Sequence, residues 1–252
     1  VDMTYPNQKI KTLNNISIQI KAGEKVGIIG KNGSGKTTQV KLLKETLLAN
    51  GKSVATVKYP NYETETGKQV TRYLTGEFGN ASLLDPFLSC ALYSLDRLAN
   101  KAELEKLLIE NDYVILDRYL YSNIALQGSK INASYGDVKN YVIDTEFVRG
   151  GLPKPDLIFW LNFNDKASTK ERLKTRSAEQ SGTGIDLDGH ESNETFMFRV
   201  GKTYEIMAKE FNMFEVKLFD SNHKRLTSVC VANTIEKQVK NYEGWLGYQE
   251  DN

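Results

Sequence analysis

Residues 16–20, Ile-Ser-Ile-Gln-Ile, alternate apolar and polar side chains, the period of a half-buried strand. Ala22-Gly23 reads as a turn, and Val26 to Ile29 as an apolar strand ending at Gly30. From Lys36 to Ala49 the period becomes helical, with Val40, Leu42, Leu43, Leu47 and Leu48 returning every three or four residues. Asn50-Gly51 stops that helix, and a strand from Ser53 to Tyr59 follows, closed by Pro60. Helical patterns over 67–75, 83–99 and 101–111 lead to an apolar strand at Tyr113-Val-Ile-Leu-Asp117. A helix is expected at about 137–149, then the turn Gly150-Gly151-Leu-Pro153-Lys-Pro155 and a strand from Asp156 to Leu161. A helix at 166–176 precedes a polar stretch, 177–190, which reads as a surface loop or a lid. A helix at 192–211, a strand at 214–219 and a helix at 225–240 complete the pattern.

Strands alternating with helices from residue 25 onward predict an α/β fold with a parallel sheet covered on both faces. The 252 residues fit one large body with an appendage. The expected division is a β extension at 1–24, a main domain at 25–240 and a tail at 241–252. Lys and Arg number 33 against 32 Asp and Glu, which argues against a broad nucleic-acid or membrane surface. The charge is unevenly spread: residues 1–50 carry +5 and the remainder −4. Cys90 and Cys230 are far apart and outside any CxxC, so both are expected to be buried free thiols. No apolar run reaches the roughly 18 residues of a membrane span, and the N-terminus lacks a signal-peptide core. A cytoplasmic protein is the expectation.

Gly30-Lys31-Asn32-Gly33-Ser34-Gly35-Lys36-Thr37 is a complete GxxxxGK[ST] loop, between an apolar strand and an amphipathic helix. Its backbone N–H groups, extended through Thr38, suit phosphate oxygens, and the helix N-terminus adds favourable dipole charge. Lys36 is expected to bridge the β- and γ-phosphates and Thr37 to ligate Mg²⁺, with ATP as the nucleotide.

Beyond the loop the chain resembles the thymidylate kinases, a P-loop family of nucleoside monophosphate kinases. The resemblance rests on Gly35-Lys-Thr-Thr-Gln39, Tyr59-Pro60, Leu95-Asp96-Arg97, Asp117-Arg118-Tyr119 with Ser122-Asn123, and Gly151-Leu-Pro-Lys-Pro-Asp156. It covers residues 35 to about 238 and implies a three-layer P-loop fold moving the ATP γ-phosphoryl group to dTMP. It places Asp117 near Mg²⁺ and the phosphates, and Arg118 between donor and acceptor phosphates; without it the two could form a structural ion pair. Tyr93 and Arg97, one helical turn apart, would stack on and hydrogen-bond the thymine base, or be a core tyrosine under a solvated arginine. Asn123 matches a base-contacting position, and Tyr59, Tyr62 and Glu191 positions around the acceptor site. Arg172 and Arg176 would touch the donor nucleotide, or be surface charges on one helix face. Dimers are common in the family.

The front reads differently. Thr4-Tyr5-Pro6, Leu13-Asn-Asn-Ile16 and Ala22-Gly-Glu-Lys-Val-Gly-Ile-Ile-Gly30 resemble the opening strands of ABC-transporter ATPase domains. That implies an N-terminal antiparallel β extension and a chimera joined near the P-loop. Three features depart from the kinase pattern. Asn32 stands where the family usually has an acid, Ile29-Gly30 stands for Glu-Gly, and neither the P-loop nor 177–190 contains an arginine. The expectation is a dTMP kinase of weakened activity. Competing readings are a nucleotide-binding chimera with little turnover, and an ABC-type ATPase, against which the missing LSGGQ-like signature counts.

Overall fold

The computed structural model describes residues 23–163 and 194–250. The expected β extension and ABC-like strands, the helix at 166–176 and the candidate lid lie outside them. Five strands, β1 (Glu24–Gly30), β2 (Val54–Lys58), β3 (Tyr113–Asp117), β4 (Leu157–Asn162) and β5 (Phe214–Lys217), form one all-parallel sheet in the order β2-β3-β1-β4-β5. The helices are α1 (Lys36–Ala49), α2 (Glu65–Leu74), α3 (Pro86–Ala99), α4 (Lys101–Glu110), α5 (Leu120–Gln127), α6 (Tyr135–Ile143), α7 (Glu194–Glu210) and α8 (Ser228–Glu250).

Each central strand divides its apolar side chains between two cores, as the two-residue pleat requires. Val26, Ile28, Tyr113, Ile115, Leu157, Phe159 and Leu161 pack with Val40, Leu43 and Leu47 of α1 and Val231, Ile235 and Val239 of α8. Ile29, Val114, Leu116, Ile158 and Trp160 pack on the other face with residues of α3 to α7. The continuous apolar runs of these strands are therefore the mark of a sheet buried on both sides.

Several boundaries differ from the sequence pattern for identifiable reasons. Helix α3 starts at Pro86, not 83, because the Asp85 carboxylate caps it, accepting from the Phe87 and Leu88 N–H groups. Thr64 caps α2 by accepting from the Gly67 N–H, which starts that helix before residue 67. The expected helix at 137–149 divides into α6 and a π-helical turn, Asp144–Arg149. Helix α5 was not expected: seven of its eight residues are buried, so it has no amphipathic stripe. Helix α8 continues to Glu250 through most of the expected tail. Cys90 is buried as expected, whereas Cys230 is exposed on α8.

The π-helical turn aims Glu146 at α3. Arg97 Nε donates to Glu146 Oε2 at 2.6 Å and Nη2 to Oε1 at 2.7 Å, while the Ser94 hydroxyl donates to Oε1 at 2.7 Å. Burial works against the Arg97 charge, but the Glu146 carboxylate more than offsets it and holds the guanidinium pKa above its usual value. Lys130, also buried, donates to the Leu84 carbonyl and the Ser89 hydroxyl and lies 5.5 Å from the Tyr73 ring centre.

Glu146→Ala strands a buried cation and is expected to cost about 3–5 kcal/mol in urea unfolding; a loss below about 1 kcal/mol would contradict the pairing. Burial lowers the Lys130 pKa from its ordinary 10.5 to about 8. Between those values the unfolded chain keeps a proton the folded chain has released, so this residue's contribution to stability rises with pH. Lys130→Met should flatten that rise, and an unchanged pH slope would refute the assignment.

Candidate active site

Strand β1 ends at Gly30, beside the ends of β3 and β4, with Ile28 paired to Asp117 and Gly30 to Leu161. Strand β1 is followed by β2 on one side of it, and β3 by β4 across it. The crevice outside their carboxyl ends is where such sheets take ligands. The loop from Lys31 to Gly35 turns back through left-handed backbone at Gly33 (φ 76°) and Gly35 (φ 89°), a region that favours glycine. Gly35 then begins α1. The buried Lys36 reaches back across the loop, its Nζ donating to the Lys31 carbonyl at 2.7 Å. Ser34 is buried, its hydroxyl without a hydrogen-bond partner.

Asn32, Gly33, Gly35, Lys36, Thr37 and Thr38 face a cavity of about 260 Å³ whose other wall is Lys58, Asp117 and Arg118. The Thr37 hydroxyl donates to Asp117 Oδ2 at 3.1 Å. Asp117 is buried and its second oxygen, Oδ1, has no partner. An orphaned carboxylate oxygen beside a threonine hydroxyl fits a hard divalent cation that takes its remaining ligands from phosphate and water. Among the described residues no cluster of three His, Cys, Asp or Glu offers an alternative metal site.

Arg118 has left-handed backbone (φ 65°), an unfavourable state for a non-glycine residue. Its N–H donates to the Ile28 carbonyl at 3.2 Å, and its Nη2 donates to Asn32 Oδ1. Against the alternative of an Asp117–Arg118 ion pair, the Asp117 side chain bonds Thr37 and the Arg118 side chain bonds Asn32.

Beyond this cavity the end of β2 leads to the residues expected on the acceptor side. Tyr59 follows β2, its N–H donating to the Asp117 carbonyl at 3.2 Å and its buried hydroxyl unpartnered. The Tyr59–Pro60 peptide is cis. The loop beyond is held by Asp96, which accepts from the Asn61 N–H and from the Thr64 and Thr66 hydroxyls. Tyr93 lies edge-on to Tyr73, 6.1 Å between ring centres, with Tyr62 packed against them. Arg97 is buried in its pair with Glu146, so it is not the solvated arginine of the alternative reading. Asn123 Nδ2 donates to the Cys90 carbonyl at 3.3 Å, leaving Oδ1 unpartnered.

Burial raises the pKa of Tyr59, Tyr62 and Tyr93. The same phenols feel the Arg97 or Arg118 charge, which sets these aromatic and cationic groups in one neighbourhood. Arg172, Arg176 and Glu191 lie outside the described residues. Lys58 and Glu146 were not singled out from the sequence, and Asp96 entered only as part of Leu95-Asp96-Arg97. Lys58 could have been found, as a cation ending a strand just before Tyr59-Pro60; Glu146 carries no such signal.

The sequence pattern of the family described as Thymidylate kinase matches residues 28–221. A thymidylate kinase of Mycobacterium tuberculosis is 30% identical over 187 residues, 73% of this chain and 86% of that protein. A putative thymidylate kinase of Invertebrate iridescent virus 6 is 28% identical over 213 residues, 84% of this chain and 86% of the relative. A solved thymidylate kinase from Candida albicans superposes with a TM-score of 0.67 at 22% identity, covering 88% of this chain and 93% of that one, and shares the fold. The family match begins at residue 28 and takes in the P-loop, which the front-end resemblance had assigned to a piece of different ancestry. These comparisons give the chimera and the ABC-transporter reading no support. With the match spanning most of its length, the chain belongs to the thymidylate kinase family.

Proposed function

We propose that the chain transfers the γ-phosphoryl group of ATP to dTMP, giving dTDP, at the crevice between the P-loop and the aromatic pocket. The carrying observation is the convergence of a P-loop, the Thr37–Asp117 pair and Arg118 on one cavity beside Tyr59, Tyr93 and Arg97. In this reading the P-loop N–H groups and Lys36 bind the donor phosphates, and Arg172 and Arg176 the donor nucleotide. Thr37 and Asp117 would hold Mg²⁺, which neutralises phosphate charge when bound. The acceptor phosphate is already an anionic nucleophile, so no general base is needed; positioning and charge neutralisation carry the step. Arg118 and Lys58 supply cations between the two phosphates. Tyr93 stacks on the thymine and Arg97, oriented by Glu146, donates to it. Asn123 offers its unpartnered oxygen to the base, and Tyr59, Tyr62 and Glu191 complete the acceptor side.

Asn32 supports the weakened turnover. Its side-chain oxygen accepts from Arg118, so it offers the acceptor sugar neither a negative charge nor an uncommitted oxygen. A coupled assay should show ADP formation that depends on dTMP and is lost by roughly a hundredfold or more in Lys36→Ala. ADP release indifferent to dTMP would refute the kinase reading. Asn32→Asp should raise dTMP turnover in the same assay; no gain would put the defect elsewhere.

The outward face of α3 supports a homodimer. Leu88 and Leu95, two turns apart, are 51% and 48% exposed, with Leu83 and Phe87 alongside. Sedimentation should give a dimer that Leu88→Asp with Leu95→Asp converts to monomer, whereas a wild-type monomer would exclude it.

A further inference from the structure

The loop between β5 and α8 carries a guanidinium that the reaction as described does not use. Asp220 closes this loop, its Oδ1 accepting from the Asn222 and Lys224 N–H groups at 2.9 Å each. A bridge between Phe219 and Arg225 and a bond from the Leu226 N–H to the Leu218 carbonyl fix the returning strand of the loop. Arg225 lies over the Phe163 ring, 5.4 Å from its centre, and Phe163 is itself braced edge-on by Phe219 at 5.3 Å. From that platform Arg225 Nη2 donates to the Gly33 carbonyl at 3.2 Å. A second tie follows it, Gln39 Nε2 donating to the Ser228 carbonyl at 3.0 Å.

We propose that Arg225 is a positioning residue of the donor site, holding the P-loop through Gly33 and adding positive charge beside the donor phosphates. Arg118 grips the loop at Asn32 from the β3 side of β1, and Arg225 grips the next residue from the β5 side. The P-loop itself contains no arginine and residues 177–190 contain neither Lys nor Arg, so Arg225 adds a guanidinium to a loop that lacks its own. The side chain is exposed and makes one hydrogen bond to backbone, a contact of little weight for folding. Its effect therefore falls on the loop and its ligand.

This assignment rests on the site being an ATP site, so the test measures binding directly rather than turnover. ATP with Mg²⁺, and dTMP separately, are titrated calorimetrically into the full chain and into Arg225→Ala and Arg225→Lys. Arg225→Ala should weaken ATP binding about tenfold, the scale of one charge-assisted bond. Binding of dTMP and the melting temperature should stay unchanged. Arg225→Lys should restore only part of the loss, keeping the charge but not the planar fork that stacks and donates. ATP affinity within about twofold of wild type in Arg225→Ala, or an equal loss for both ligands, would overturn the role of Arg225 alone. A wild-type chain that binds no ATP would overturn the donor-site reading together with it.

Discussion

The chemistry depends on the register of β1 against β3. Pairing Ile28 with Asp117 brings the residue that opens the P-loop and the last residue of β3 to the same edge of the sheet. A side chain on the first turn of α1 can then reach a carboxylate 80 residues away, as Thr37 does with Asp117. A one-residue slip would turn Asp117 away from the face it shares with Tyr113 and Ile115 and bury a carboxylate among the residues packed on α3 to α7. The apolar runs of both strands, each side chain committed to one of two cores, are what forbid that slip.

Charge is managed differently in the two halves of the crevice. Around the phosphate cavity Lys36, Lys58 and Arg118 stand against the single carboxylate of Asp117, a local excess suited to a polyanion. Around the aromatic cluster the buried Arg97 guanidinium is paired with Glu146, and the buried Lys130 stands over Tyr73 with a carbonyl and a hydroxyl as its partners.

Much of this was legible in the sequence because two periodicities and one loop carry it. The apolar runs at 26–29, 113–117 and 156–161 each match a strand to within two residues at either end, and the P-loop falls where its glycines require. The site was legible only where a residue lies next to a recognisable string, as with Asp117, Arg118 and Arg97. Glu146 escaped because its importance comes from a partner 49 residues away, and Asp96, though inside a recognised string, gave no sign of its partners 30 to 35 residues away; no local spacing encodes either. Helix α5 escaped for a related reason. A helix surrounded by protein has no polar face, and the signal for a helix is the contrast between faces.

That enclosure of α5 also bears on how its surroundings can change. Ser122, Asn123 and Gln127 point polar groups inward from a helix whose other residues, Leu120, Tyr121, Ile124 and Ala125, belong to the main core. Any enlargement there must be accommodated by α3, α6 and α7 together, so a gain in ligand scope is coupled to a loss of packing. Helix α2 and Tyr62 of the loop before it pack instead in a small satellite cluster. Substitutions should therefore be accommodated more readily in α2 and its loop than in α5, which stays nearly unchanged and preserves the fold.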